Sequence, residues 1–124
     1  MLTTALRVCR STPTTRRCFA TKVYSWGNGD HGQLGHVGFV KEGVPPTYRE
    51  LLPKELPILS TSNFQWVAAG NRHSAGLNDR GEVLTWGSGG QHRLGHGTED
   101  DEQGPRLVEG LVGTNIIQVE CGDQ

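Results

Sequence analysis

The sequence predicts an all-β fold made of repeated units. Glycine is abundant, since 18 of the 124 residues are glycine and all of them lie between Gly27 and Gly122. Short segments rich in strand-forming residues alternate with turns, and no convincing helical periodicity follows residue 22. The apolar content of 34% is low for a single packed domain. No segment approaches the ~18 apolar residues of a membrane-spanning helix, which excludes an integral membrane protein of that kind.

The repeat becomes visible when the chain is aligned with itself. Residues 23–36 match residues 83–96 at seven of 14 positions, with an offset of 60. Residues 53–70 match residues 105–122 with an offset of 52. The repeated unit is therefore about 52 residues long, and the first copy carries an enlarged loop between Gly35 and Pro53.

Each unit combines short strands with tight turns. Strands are predicted at residues 66–69, 73–77, 83–86 and 119–121. The turn Asn78–Gly81 predicts a hairpin, because Asn or Asp followed by Gly supports a sharp reversal of the chain. The small residues of 68–70 and 74–76 suit strands that crowd near an axis. A single helical turn is expected around residues 48–52.

These units resemble the repeat of the regulator of chromosome condensation family. The shared pattern begins with Val67, Gly70, His73, Ser74 and Leu77, and continues through Gly81, Val83, Trp86, Gly87, Leu94 and Gly95. The resemblance implies a seven-bladed β-propeller in which each unit of about 50 residues forms a four-stranded blade. We therefore expect residues 23–124 to form an incomplete β-propeller of about two blades, with the second unit truncated, as the N-terminal fragment of a longer protein.

The resemblance also implies structural roles for repeated residues. Trp26 and Trp86 are expected to pack between neighbouring blades, and His73 is expected to form a hydrogen bond within its blade. His36 and His96 follow the same Leu-Gly pair, which indicates a role in a turn. The full set of predicted structural repeat residues is Trp26, Gly27, Leu34, Gly35, Gly70, His73, Gly81, Trp86, Gly87, Leu94 and Gly95.

The first 22 residues differ in charge from the remainder. They carry five basic residues and no acid, whereas the rest of the chain has seven basic and 13 acidic residues, a net charge of −6. On a helical wheel the apolar and basic residues before Pro13 separate onto opposite faces. This pattern is typical of a mitochondrial transit peptide, disordered or helical, over residues 1–19. Arg17, Cys18 and Phe19 resemble a processing site, which would begin the mature chain near Ala20.

This leader predicts a mitochondrial location, in the matrix or at the matrix face of the inner membrane. The alternative for the leader is a disordered basic tail or a nucleic-acid-binding arm. A secretory signal is disfavoured because no apolar core follows the basic residues.

No catalytic, cofactor-binding or metal-binding residues are predicted. Gly27 to Gly32 spell a G-x-G-x-x-G motif, but a helix that could bind phosphate at its N-terminus is not predicted after it. The histidines lack clustered Cys or acidic partners at a spacing typical of metal ligands. The acidic run Glu99–Glu102 is typical of a solvated loop, with a contact to a basic partner as the alternative. Cys121 is interpreted as a small buried residue rather than a catalytic thiol.

The expected function is therefore protein interaction. By resemblance, mitochondrial members act in ribosome assembly or organelle maintenance, which predicts a non-enzymatic scaffold with a ribosomal partner. The alternative is guanine-nucleotide exchange on a small GTPase, the activity of the founding member. No small-molecule substrate is expected. Direct DNA binding is not expected either, because the chain beyond the leader is acidic and the leader resembles a transit peptide. The candidate partner loop is Val37–Leu52, and its candidate residues are Phe39, Lys41, Glu42, Tyr48 and Arg49.

Overall fold

The computed structural model describes residues 4–9, 21–38, 43, 47–57 and 63–123, and it is built from two antiparallel sheets. The first sheet has the order β1-β2-β3, and the second has the order β4-β5-β6-β7. The strands are β1 Thr4–Cys9, β2 Thr21–Asn28, β3 Arg49–Glu55, β4 Phe64–Ala69, β5 His73–Asn78, β6 Val83–Gly87 and β7 Glu102–Leu107. Short 3-10 helices cover Gly90–His92 and Glu109–Leu111. The predicted all-β class is confirmed, and we call the two sheets the first and second blade.

The second blade is a four-stranded meander. All six residues of β5 are buried, because its small side chains lie between two neighbouring strands and under covering segments. The predicted hairpin between β5 and β6 is present. The Asn78 side-chain oxygen accepts the backbone N–H groups of Arg80 at 3.0 Å and Glu82 at 2.9 Å, which satisfies donors that the turn would leave unpaired.

The described part of the first blade contains three strands, and its outer pair repeats that of the second blade. The register pairs of β2 with β3 include Ser25 with Lys54 and Gly27 with Glu50, and those of β6 with β7 include Thr85 with Arg106 and Gly87 with Glu102. Both pairs carry a register shift at the same place. The repeat seen in the sequence is thus a repeat of backbone pairing.

The prediction of a helical turn at residues 48–52 was wrong. Arg49–Glu55 form strand β3, paired with β2. Pairing with the edge of β2 satisfies several backbone groups at once, which outweighs a local preference for one turn of helix. Pro53 is compatible with this outer strand, because a strand at the edge of a sheet has N–H groups that need no partner.

The leader also differs from expectation where the structure describes it. Residues 4–9 form β1, which pairs antiparallel with Thr21–Trp26 of β2, rather than the disordered or helical segment that was predicted. A helix this short is marginal in water, whereas the edge of β2 offers a ready template of backbone donors and acceptors. The remaining leader positions, including the processing site at residues 17–19, lie outside the described residues.

Among the described residues, two apolar clusters form the core. The first lies between the blades and joins Val23 and Leu56 of the first blade with Phe64 and Trp86 of the second. The second cluster lies on the other face of the second blade and contains Leu77, Val83 and Val108, with the partly buried Leu111, Ile116 and Val119 packed against it. Each face of the second blade is therefore covered by apolar packing.

The segment after the second 3-10 helix lies along the second blade without joining its sheet. Strand 119–121 was predicted there, but residues 115–123 have no regular secondary structure. The Ile116 N–H donates to the Gly81 carbonyl at 3.4 Å, and the Cys121 thiol lies 3.6 Å from the Ala68 carbonyl. The prediction failed because a strand needs a continuous ladder of partners, and only isolated contacts hold this segment.

No helix within the part of the chain that the structure describes is long and apolar enough to cross a bilayer.

Candidate interaction surface

A loop of the first unit joins the two blades. The Gln33 carbonyl accepts two hydrogen bonds from the second blade, one from the Ser74 hydroxyl and one from the Trp86 indole N–H, each at 2.9 Å. Both donor side chains are buried, with Ser74 1% and Trp86 2% exposed. Because two buried donors depend on one carbonyl, this loop has a fixed position on the second blade. The expectation that Trp86 packs between blades is confirmed.

Each unit contains the same hydrogen-bonded histidine. The Ser25 hydroxyl donates to the Leu34 carbonyl at 2.6 Å and lies 3.0 Å from His36 Nε2. In the second unit, Thr85 makes the same two contacts with Leu94 and His96, at the same distances. Since the hydroxyl proton is committed to the carbonyl, the imidazole Nε2 must be the donor in the second contact. The turn role predicted for both histidines is confirmed.

This geometry does not prepare a nucleophile. In a serine nucleophile the histidine nitrogen accepts the hydroxyl proton, whereas here that nitrogen donates to the hydroxyl oxygen. The arrangement also occurs twice, at corresponding positions of two structural repeats. Ser25, His36 and their counterparts therefore hold the loop rather than perform chemistry. Among the described residues, no group of three or more His, Cys, Asp or Glu is placed to hold a metal ion.

Charged groups surround His36. Burial is the main cause that lowers its pKa, and the positive charge of Lys54 lowers it further, while the hydrogen bond to Ser25 and the charge of Glu50 oppose the shift. Lys54 Nζ lies 2.9 Å from the Glu50 carboxylate. The Tyr48 hydroxyl donates to that same carboxylate, and burial together with this hydrogen bond raises the pKa of Tyr48.

His73 occupies a different kind of environment. Its side chain is 7% exposed, and its Nδ1 is buried without a hydrogen-bond partner among the described residues. The hydrogen bond within the blade that the resemblance implied is therefore not seen at this nitrogen. Burial lowers the pKa of His73, and the charge of Arg93 adds to this effect.

Acidification is expected to destabilise the chain through these two buried histidines. Both folded-state pKa values are lowered, so below about pH 6.5 the unfolded chain binds more protons than the folded chain. The contribution of the two neutral imidazoles to the free energy of unfolding is fully present above about pH 6.5. It is lost as the pH falls toward the lower pKa values of the folded chain. Urea unfolding at a series of pH values between 8 and 5 should show this loss. His36→Gln, which keeps a side-chain N–H donor without the titration, should reduce the slope below about pH 6.5. An unchanged slope in both His36→Gln and His73→Gln would contradict the assignment.

The candidate partner loop is only partly described. Phe39, Lys41 and Glu42 lie outside the described residues, and Arg49 is exposed on β3. Tyr48 is half-buried, and its backbone anchors the loop, because its N–H donates to the Asp30 carboxylate and its carbonyl accepts the Gly29 N–H at 2.8 Å. Tyr48 therefore fixes the end of the loop and presents little of its ring to a partner.

Three exposed apolar side chains of the Val37–Leu52 loop were not among its residues named from the sequence. Val37 is 74%, Leu51 86% and Leu52 75% exposed. The signal that marks the two leucines is the comparison of units, since Gln103 and Gly104 stand at the corresponding positions of the second unit. An exposed leucine where the other unit has a polar residue or glycine is not needed by the repeat itself, and it indicates a contact surface.

The acidic run Glu99–Glu102 accepts hydrogen bonds from neighbouring backbone groups, although most of it is exposed. The Asp101 carboxylate accepts the Gly89 N–H at 2.9 Å and lies 3.6 Å from His31 Nδ1 of the first unit, and the Glu99 carboxylate accepts the Gln91 N–H at 2.8 Å. Residues 99–101 remain exposed, as predicted for a solvated loop.

Cys121 is half-buried, and burial raises the pKa of its thiol to about 11, so the thiolate is scarce at neutral pH.

The paired sheets, the loop that docks on the next blade and the repeated hydroxyl–histidine contact define consecutive blades of a β-propeller. The family model described as the regulator of chromosome condensation (RCC1) repeat matches residues 22–77 and 80–124. The chain belongs to this family.

Known proteins similar to this chain carry the same repeat. Human HERC2, an E3 ubiquitin-protein ligase, is 39% identical over 103 residues, which are 83% of this chain and 2% of HERC2. Protein pim1 of Schizosaccharomyces pombe is 33% identical over 107 residues, covering 82% of this chain and 19% of pim1. The crystal structure of Prp20p from Saccharomyces cerevisiae matches with 31% identity and a TM-score of 0.68, over 83% of this chain and 25% of Prp20p. The chain thus spans a quarter or less of the length of these relatives.

Proposed function

We propose that this protein is a non-enzymatic interaction scaffold of the mitochondrion, with a role in ribosome assembly or organelle maintenance. The observation that carries the interaction role is the exposed apolar surface of the first unit, formed by Val37, Leu51 and Leu52 of the partner loop. Rigid blades that present such loops suit the binding of a protein partner, here a mitochondrial ribosomal component. The titratable groups described above hold turns and loops, which favours binding over catalysis.

The mitochondrial location is proposed from the sequence of the leader. Its five basic residues and absence of acid provide the positive charge to which the membrane potential responds. The strand formed by residues 4–9 is compatible with this role, because β1 lies at a sheet edge and strands at an edge open locally at a lower cost than interior strands.

A reporter fused to Met1–Lys22 is expected to accumulate in mitochondria. Replacing Arg7, Arg10, Arg16 and Arg17 by glutamate should abolish import, because the leader would then be acidic and the membrane potential would oppose entry. The matched control replaces the same four arginines by lysine, which preserves the charge and should preserve import. Fluorescence imaging and protection from added protease measure the outcome. A diffuse reporter, or import that survives the glutamate variant, would contradict the proposal.

Guanine-nucleotide exchange on a small GTPase is the second candidate. It is supported by the likeness to Prp20p, a protein studied for its binding properties to Gsp1p and histones. The whole protein, mixed with small GTPases of the mitochondrion that carry a fluorescent guanine nucleotide, would accelerate nucleotide release if it is an exchange factor. Binding without acceleration would favour the scaffold.

A further inference from the structure

The leader strand β1 occupies in the first blade the position that β5 occupies in the second. β1 lies next to β2, and β5 lies next to β6. The register is also the same, at the offset of 60 that aligns β2 with β6. Trp26 of β2 pairs with Thr4 of the leader. Its counterpart in the second blade, Trp86 of β6, pairs with Ser74. The leader is therefore paired as a regular strand of its blade.

The backbone hydrogen bonds of the leader strand follow from this register. The Val23 carbonyl accepts the Leu56 N–H at 2.8 Å, so the backbone groups of Val23 point toward β3 and away from β1. The direction alternates along a strand, and the backbone groups of Tyr24 therefore point toward β1. Leu6 lies opposite Tyr24 and is placed to exchange both backbone hydrogen bonds with it. The leader is thus held by a ladder of backbone groups.

The paired leader cannot at the same time be an amphipathic helix, the form in which a transit peptide is recognised. On a helix, Ala5 and Leu6 lie on the apolar face, and Arg7 lies on the opposite, basic face. In a strand, successive residues alternate between the two faces, so Ala5 and Leu6 are separated and the continuous apolar face is lost. Recognition of the leader as a helix therefore requires that β1 first separates from β2.

We propose that β1 is an autoinhibitory strand, whose pairing with β2 masks the leader from the import machinery once the first blade has folded. This inference rests on the proposed mitochondrial function. A receptor that binds only the released leader has its apparent affinity reduced by the fraction of chains in which β1 is released. Import therefore competes with folding, and chains that have not yet folded are imported faster than folded ones.

The register offers a cross-strand disulfide as a test of the pairing that needs no mitochondria. Cys9 lies opposite Thr21. Thr21 lies two residues before Val23, so its backbone groups also point away from β1, and the two residues form a pair without mutual hydrogen bonds. The Cα atoms of such a pair are about 4.5 Å apart, which a disulfide can span. The single substitution Thr21→Cys therefore provides a reversible lock for the leader.

The lock is made in the 124-residue chain that also carries Cys18→Ser and Cys121→Ser, so that only Cys9 remains as a partner. On addition of oxidised glutathione, Thr21→Cys should form the disulfide at least about tenfold faster in the folded chain than in concentrated urea, because pairing raises the effective concentration of the two thiols. Mass spectrometry after labelling of free thiols measures the rate. Adding Cys9→Ser should abolish the product. A folded chain that forms the disulfide no faster than the unfolded chain would overturn the proposal.

Two proline variants of the leader test which backbone groups hold it. Leu6→Pro removes an N–H that points toward β2, and it should slow disulfide formation in the Thr21→Cys chain by about tenfold. Ala5→Pro is the matched control, because the N–H of Ala5 points away from β2, and it should change the rate by less than about twofold. Equal slowing by the two variants would show that the leader is not paired in this register.

Import into isolated mitochondria tests the masking itself, with the same reporter fused to Met1–Lys22 or to the whole chain. The short fusion lacks all but the first two residues of β2, so its leader is not masked. The folded long fusion should be imported at least about tenfold more slowly, and prior unfolding in urea should remove most of the difference. Oxidation of Thr21→Cys should block import of the long fusion, and reduction should reverse the block.

The outcomes separate this inference from the proposed location. Equal import of the short fusion and the folded long fusion would overturn the masking and leave the mitochondrial location intact. If neither fusion entered mitochondria, even after unfolding, the location would be wrong and the masking of an import signal with it.

Discussion

Replacing Trp86 by alanine is expected to lower the free energy of unfolding by about 3–5 kcal/mol, the range for truncating a large buried aromatic side chain. Trp86 is 2% exposed and packs with Val23, Leu56 and Phe64, so its removal opens a cavity between the blades. The change also removes the indole donor to the Gln33 carbonyl. Urea unfolding followed by circular dichroism measures the loss, and a chain of modest stability would lose its cooperative transition altogether.

Trp66→Ala is the matched control for this variant. Trp66 is 42% exposed on β4 and belongs to neither buried core cluster, so its removal should cost much less, about 1 kcal/mol. Trp86→Phe separates the two contributions, because it keeps most of the packing and removes the donor. Its expected cost is about 1–2 kcal/mol, the range for leaving a buried carbonyl with one partner fewer. Equal losses for Trp86→Ala and Trp66→Ala would show that the contact between blades does not stabilise the chain.

The sequence predicted the parts of the fold that repeat. The recurrence of Trp26 and Trp86, each followed by a glycine, together with the family resemblance, predicted that Trp86 packs between blades. Strands β5 and β6 were predicted correctly because the turn between them has a sequence signal of its own, the Asn78–Gly81 reversal. The correct predictions therefore rested on local features of the sequence, a recurring Trp-Gly pair and a turn motif.

The elements that were missed depend on partners distant in sequence. Strand β3 exists because the edge of β2 pairs with it, and its own residues carry no clear alternation of buried and exposed positions. The leader strand depends on the same β2, whose other edge it covers. Conversely, residues 119–121 look like a strand but lack a ladder partner. Pairing across long separations cannot be read from local composition, which explains these errors.

For the candidate site, the predicted role of His36 and His96 was correct, but their hydroxyl partners were not foreseen. The signal was present, since Ser25 and Thr85 place a hydroxyl at the same position of both units. Leu51 and Leu52 lay inside the predicted partner loop but were not singled out, because exposure depends on which neighbouring loop covers a strand. Only the structure shows that Val37 lies against Gly104 and that Leu52 is exposed.

Gly87→Ala is expected to be as damaging as the loss of the tryptophan, although it adds only one methyl group. Gly87 has a φ of +105°, which side-chain-bearing residues rarely adopt, and a Cβ there would lie 2.5 Å from the Arg72 carbonyl oxygen and 2.7 Å from His73 Cα. Both neighbours are backbone atoms, and the Arg72 carbonyl already accepts the Ser88 N–H at 2.8 Å. Backbone strain and overpacking together should cost about 3 kcal/mol or more.

Gly113→Ala is the matched control, because it introduces the backbone strain of a positive φ without a steric clash at the added Cβ. Its φ of +85° is also positive, but no described atom lies within 4 Å of the added Cβ, so only the conformational cost of about 1 kcal/mol is expected. The difference between the two variants in urea unfolding therefore measures the close approach of β6 to the residues that precede β5. That approach lets Trp86, one residue earlier, reach the Gln33 carbonyl across the blades. If Gly87→Ala cost no more than Gly113→Ala, the strands would be free to separate, and the fixed docking of the first unit's loop on the second blade would be wrong.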